Sequence, residues 1–166
     1  MTVWKNVTDS TPIPVSTVKN LPFAQRLAIG KKTEHAFLVL YQNLYDPTAY
    51  IQEGLDKGKD IISPKYKILL EIKDQPRAVF CVSVELGRQS PGQGIRNSGI
   101  TTTQADYYVW YCHRKFMIIK TSKLKELIKD ISISQHELHG DIYFMKILNI
   151  DLLEANAVKV IPYADN

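Results

Sequence analysis

With 166 residues, 45% of them hydrophobic and 23% charged, the chain has the composition of one soluble globular domain with a sizeable core. No apolar run nears the roughly 20 residues of a membrane helix and no signal-peptide pattern opens the chain, so a cytoplasmic protein with no membrane partner is expected (in a host cytoplasm if viral). A net charge of +4 and a pI near 9.0 suit a polyanionic partner.

Residues 1–20, rich in Thr, Ser, Val and Pro, show no helical period and read as an irregular arm. A turn of helix from Phe23 would end at Gly30. The first full helix is predicted from the N-cap Thr33 to Leu44, with Phe37, Leu40, Tyr41 and Leu44 as its apolar stripe, and Asp46-Pro47 stops it. A short strand over 49–52 and a Gly-containing turn over 53–59 lead to Asp60-Ile61-Ile62-Ser63. Tyr66 to Lys73 reads as a central strand. Asp74-Gln75-Pro76 turns the chain, and Arg77 to Leu86 is the next strand, paired with it as a hairpin.

Gly87 to Gly99 carries four glycines, one proline and two arginines, the mark of a long permissive loop. Thr101 to Gln104 starts a short helix or tight turn. Tyr107 to Cys112 and Lys115 to Lys120 are strands joined at His113-Arg114, with Tyr107, Tyr108, Trp110 and Tyr111 as strand and core aromatics. Ser122 caps a helix over 123–130. His136 and His139 fall in a polar loop. A strand or buried helix follows over 143–150, a helical turn over 151–157 and a last strand over 158–161. Cys81 and Cys112, both in apolar runs, read as buried free thiols, and no Cys/His cluster has zinc spacing. The expected fold is α/β: one domain over 1–166, with a mixed central β-sheet flanked by helices.

Within the central strand, Ile68, Leu70 and Ile72 share one face, and Leu69, Glu71 and Lys73 the other. A carboxylate and an ammonium thus point to the same side of an apolar strand, a costly arrangement without partners. A divalent metal and a phosphate would meet both. Positive charge crowds the same region: Lys57, Lys59, Lys65, Lys67, Lys73, Arg77, Arg88 and Arg96.

Asp60 followed by Glu71-Ile72-Lys73 resembles the signature of the PD-(D/E)xK, or restriction-endonuclease-like, nuclease superfamily, which includes Holliday-junction resolvases. The run from Ser98 to Tyr108, SGITTTQADYY, is similar to a segment of its phage-associated members. The resemblance covers roughly residues 30–130, leaving 131–166 as a C-terminal extension. It implies a helix, a three-stranded antiparallel meander, then a helix and a further strand. It implies a metal-dependent DNA phosphodiesterase using Mg²⁺, with Mn²⁺ substituting. Asp60 and Glu71 would hold the metal with the Ile72 carbonyl, and Lys73 would assist the attacking water. Glu85 would add a carboxylate, or else pair with Arg77 or Arg88. Glu34 would complete the metal shell, or else be a first-turn acid favoured by the helix dipole. Asp56 is the alternative to Asp60, and here lysine rather than proline precedes Asp60. Arg88, Arg96, Thr102 and Gln104 are the expected DNA contacts, and Asp106 would orient loops rather than bind metal. With no separate specificity domain, recognition would use the catalytic face or a homodimer. The alternative function is a nuclease fold kept as a nucleic-acid- or protein-binding module without turnover.

Overall fold

The structure, a computed structural model, describes residues 23–53, 59–75 and 78–163. The expected arm over 1–20, together with Asp56, Lys57 and Arg77, lies outside the described residues. Helix α1, Phe23–Leu44, is one continuous element. Gly30 does not end it: nothing lies within 4 Å of where a Cβ would sit, so this glycine carries only the usual helix-propensity cost of about 1 kcal/mol. Phe37, Leu38 and Tyr41 form the buried side, whereas Leu44, expected in the stripe, is 53% exposed.

After α1 comes a three-stranded antiparallel meander of β1 (Tyr50–Ile51), β2 (Ile61–Ser63) and β3 (Ile68–Asp74). Asp46 anchors it. Fully buried, its carboxylate accepts from Ser63 Oγ at 2.5 Å, Thr48 Oγ1 at 2.6 Å, Thr48 N at 2.9 Å and Lys65 N at 3.1 Å. Burial works against the charged form, but these bonds win and hold its pKa down at about 2. The end of the helix is thereby tied to the strands beneath it.

The expected hairpin of β3 with the next strand does not form. Strand β4 (Cys81–Gln89) enters a second sheet, because Val82, Val84 and Leu86 alternate inward into a core distinct from the one under α1. Gln75 bridges the departure: its amide donates to Ser83 O and accepts from Ser83 N, both at 3.1 Å. Strand β3 pairs instead with β6 (Tyr107–Cys112), in parallel. Then β7 (Lys115–Lys120) pairs back onto β6, as expected, and β10 (Lys159–Pro162) onto β7. The main sheet is therefore mixed, in the order β1-β2-β3-β6-β7-β10.

The second sheet, ordered β5-β4-β9-β8, is antiparallel, with β5 (Arg96–Asn97), β8 (Ile133–Leu138) and β9 (Asp141–Asn149). The long loop expected over Gly87–Gly99 is mostly a hairpin of β4 and β5, followed by a 3-10 turn over Gly99–Thr101. The polar loop expected around His136 is strand β8. Helix α2 (Thr121–Leu127) begins ahead of the expected Ser122 cap, its N-cap being Lys120, and α3 (Ile150–Ala155) follows β9. In layers, α1 covers one face of the main sheet through Phe37, Tyr41, Leu70, Ile72 and Phe116. The other face, with Tyr108, Trp110 and Met117, packs on the second sheet and on α2 and α3. No helix among the described residues is long and apolar enough to cross a membrane.

Candidate functional site

The strands of the meander are unequal in length. Ile61 pairs with Leu70, so the β2–β3 ladder ends there while β3 runs on to Asp74, leaving a notch beside residues 72–74 among the described residues. Asp60 sits at its corner: its N–H donates to Leu70 O at 2.8 Å, and its Oδ2 accepts the Ile72 N–H at 2.6 Å. A strand residue directs its N–H and C=O to the same side. The Ile72 carbonyl therefore leaves the strand on the side of Asp60, where an oxygen ligand was expected.

Alternation sends Glu71 and Lys73 to the face opposite α1, beside Tyr108 and Trp110. Glu71 is 7% exposed, and its Oε1 accepts from Lys73 Nζ at 2.5 Å. Its second oxygen, Oε2, is buried without a hydrogen-bond partner among the described residues. Lys73 Nζ also lies 5.9 Å from the Tyr108 ring centroid. Burial opposes its charge, but Glu71 above all, with Tyr108 and Asp60, keeps its pKa above the ordinary lysine value.

Glu34 joins the group from α1. Burial, and then the Asp60 charge, push its pKa up to about 7, and the fields of Lys31, Lys73 and Glu71 also reach it. Asp60 is pushed up to about 6, by burial first and Glu71 second, against the Ile72 N–H and Lys73. Three carboxylates and one lysine thus share one field with an excess of negative charge. Helix α1 brings Glu34 here because it continues through residue 34 rather than starting there; Glu34 is mid-helix, so the first-turn reading is excluded.

The residues present fit a hard divalent cation. The donors are carboxylate and carbonyl oxygens, the kind magnesium selects, and an orphaned carboxylate oxygen is the group such an ion would engage. Among the described residues no three acidic, histidine or cysteine side chains already stand as a finished metal shell. The acids act on one another through space, so ligation would need their side chains to turn inward.

The remaining expected residues fall elsewhere. Glu85 lies on β4, accepts a hydrogen bond from Ser98 Oγ, and acts on Tyr108 and Arg88; Asp60 feels Glu71 and Lys73 instead. Arg88 and Arg96 face each other across β4 and β5, with Asp141 3.9 Å from the Arg88 guanidinium. The Thr101–Thr103 hydroxyls do not open a helix. Thr101 ends the 3-10 turn and donates to Leu86 O at 2.7 Å, Thr102 donates back to Gly99 O, and Gln104 is exposed. Asp106 fastens β3 to β6, accepting the Leu69 N–H and donating its own to Leu69 O, both at 2.8 Å. Cys112 is buried, with its thiol pushed up to about 11 by burial, but Cys81, expected to be buried, is exposed at the start of β4.

Sequence reasoning missed Asp46. The Asp-Pro-Thr run was legible as an Asx turn, with the side chain taking the N–H two residues on, but nothing local shows that Ser63 and Lys65 would join it. Comparison with protein-family models, curated proteins and solved structures finds no match to this chain.

Proposed function

We propose that this chain is a metal-dependent DNA phosphodiesterase of the PD-(D/E)xK type, working at the notch between β2 and β3. The observation that carries the reading is the gathering of Glu34, Asp60, Glu71 and Lys73 there, with one Glu71 oxygen buried and unpartnered among the described residues. The antiparallel meander after α1 and the parallel β3–β6 pair support it. One departure stands against the pattern that the resemblance implies: β4, β5 and a 3-10 turn, rather than an α-helix, connect β3 to β6.

When bound, a divalent cation would polarise the phosphate and acidify its water. Asp60, Glu71 and the Ile72 carbonyl would hold it, with Glu34 as the further carboxylate. Lys73, steadied by Glu71, keeps a positive charge beside the attacked phosphorus and orients the water. Across the molecule, Arg88 and Arg96 sit directly opposite each other on neighbouring strands, with Asp141 answering Arg88, and offer a cationic pair to a phosphate backbone.

The test is cleavage of labelled single-stranded, duplex, flap and four-way-junction DNA with Mg²⁺ or Mn²⁺, comparing the wild type with Lys73→Ala. Metal-dependent cutting is expected, reduced about a hundredfold or more in the variant, with DNA binding retained. DNA binding with no cutting by the wild type would replace the enzyme reading with that of a binding module.

A further inference from the structure

The main sheet leaves part of one face open. Ile61 and Leu70 enter the core under α1, so by alternation Ile62 and Leu69 point to the other face, the one that carries Glu71 and Lys73. Tyr50 joins them: it is the cross-strand partner of Ile62 on β1, as Ile62 is of Leu69. The three side chains thus form one row across three strands. Tyr50 is 48% exposed, Ile62 and Leu69 are half-buried, and none of them is packed into either core among the described residues. The second sheet covers this face farther along, over Tyr108 and Trp110.

The row is continuous with the notch. Leu69 and Glu71 are two residues apart on β3 and share a face, which sets them about 7 Å apart along the strand. Lys67, exposed in the β2–β3 turn, and Lys73 stand on either side of Leu69 along the chain. A polyanion crossing the row therefore meets a cation at each end. Asp106 ties the start of β6 to Leu69, and the exposed Gln104, two residues earlier, brings an amide to the margin of the row.

One tyrosine and two branched aliphatic side chains offer apolar and π surface and a single hydroxyl. Such a surface suits the faces of bases rather than their edges. In a duplex those faces are taken by the neighbouring pairs, so the row gives a duplex nothing beyond what the lysines already give its phosphates. A single strand, free to spread its bases beyond the 3.4 Å or so of a stacked helix, can set one phosphate beside Glu71 and lay the adjoining base on the row.

We propose that Tyr50, Ile62 and Leu69 are a stacking platform for an unpaired base of single-stranded DNA whose phosphate sits at the notch. This rests on the phosphodiesterase reading and deepens it, because it names an unpaired strand as the substrate class.

The experiment measures fluorescence anisotropy of three dye-labelled probes: a single-stranded oligothymidylate, the same strand with abasic positions, and a duplex of equal length. Ca²⁺ replaces Mg²⁺ so that the DNA is not consumed. Wild type is expected to bind the intact single strand most tightly and to lose about tenfold when the bases are removed. Tyr50→Ala should lose the same factor on the intact strand and little more on the abasic one. Tyr50→Phe, which keeps the ring, should bind like wild type, and duplex affinity should be equal in all three proteins. Thermal melts check folding, and Tyr50→Thr, a strand-forming residue without a ring, carries the test if Tyr50→Ala is not folded. Equal affinity of wild type for intact and abasic strands, a folded ringless variant that binds like wild type, or a wild-type preference for duplex overturns the platform. So does a wild-type dimer in sedimentation that Tyr50→Ala dissociates, since the face then belongs to a second copy. Cleavage in Mg²⁺ is followed in parallel, which separates the two claims. Cutting with no effect of Tyr50→Ala on strand affinity sinks the platform alone, and Tyr50-dependent strand binding without cutting sinks the nuclease reading alone.

Discussion

Glu34→Gln tests whether burial, with the neighbouring Asp60 charge, keeps a strained acid at the notch. Glu34 rises from an ordinary 4.5 to about 7, so between those values the folded chain holds a proton that the unfolded chain releases. Stability must then fall as pH rises through that window, the reverse of a carboxylate held by a salt bridge. At 1.36 kcal/mol per pH unit the full effect would be about 3 kcal/mol. Glu34 is only half-buried, and solvent screening brings this to about 1–2 kcal/mol. Glutamine keeps the shape and cannot ionise, so the metal-free variant should be the more stable protein at pH 8. For a domain of this size that is roughly 3–6 °C in Tm, shrinking to near zero at pH 4. Calorimetry in EDTA at both pH values is the assay. A difference that is constant with pH, or a variant less stable at pH 8, would mean that Lys31 and Lys73 already balance Glu34, and the reasoning would fail.

The same crowding of half-buried carboxylates makes the fold responsive to cations. Mg²⁺ at ten times its Kd should stabilise the wild type by about 1.4 kcal/mol, an increment lost in Asp60→Asn and read from melts with and without EDTA. Asp46→Asn should lower Tm at pH 7. Because Asp46 titrates near 2 rather than 3.8, its contribution is whole above about pH 4 and is lost as pH falls through 2. The wild-type advantage should therefore shrink as pH falls from about 4 towards 2 and vanish only below it in an acid series. Gly99→Ala should destabilise by about 1–3 kcal/mol in chemical denaturation, since Gly99 has φ +57° and a Cβ would come within 2.9 Å of the Glu85 Cβ.

What was legible in the sequence is what local pattern can carry. The β6–β7 hairpin follows from two apolar runs around His113-Arg114, and both turn residues adopt positive φ, 51° and 54°. The faces of β3 follow from period-two alternation, which put Glu71 and Lys73 on one side before any pairing was known. The coarse class, α/β with a mixed sheet, came from the same signals. What failed was partnering. Asp74-Gln75-Pro76 looks like a hairpin turn, yet β3 finds its neighbour more than thirty residues on, across a parallel contact that leaves no local trace. Strand β8 was lost because Gln135 and Glu137 are exposed, so an apolar run never forms. Gly30 misled for the opposite reason: a glycine signals a helix end only where the backbone needs it, and here it does not.

The electrostatics of the meander also argue for how the charges were placed. Two aspartates lie at its margins, both withdrawn from water, with opposite outcomes. Asp46 meets four donors and stays ionised at low pH, so it fastens the helix end to the strands. Asp60 meets one backbone N–H and two nearby acids, and is pushed up to about 6. Burial alone does not separate them, since it raises both; the supply of hydrogen bonds does. A fold that satisfies one carboxylate so fully, yet sets Glu34 of α1, Asp60 and Glu71 around the single ammonium of Lys73, has concentrated its acidic excess at one place. The Mg²⁺ melts probe that excess directly, because a cation that meets it must stabilise the fold, and one that does not would show the acids to be merely tolerated.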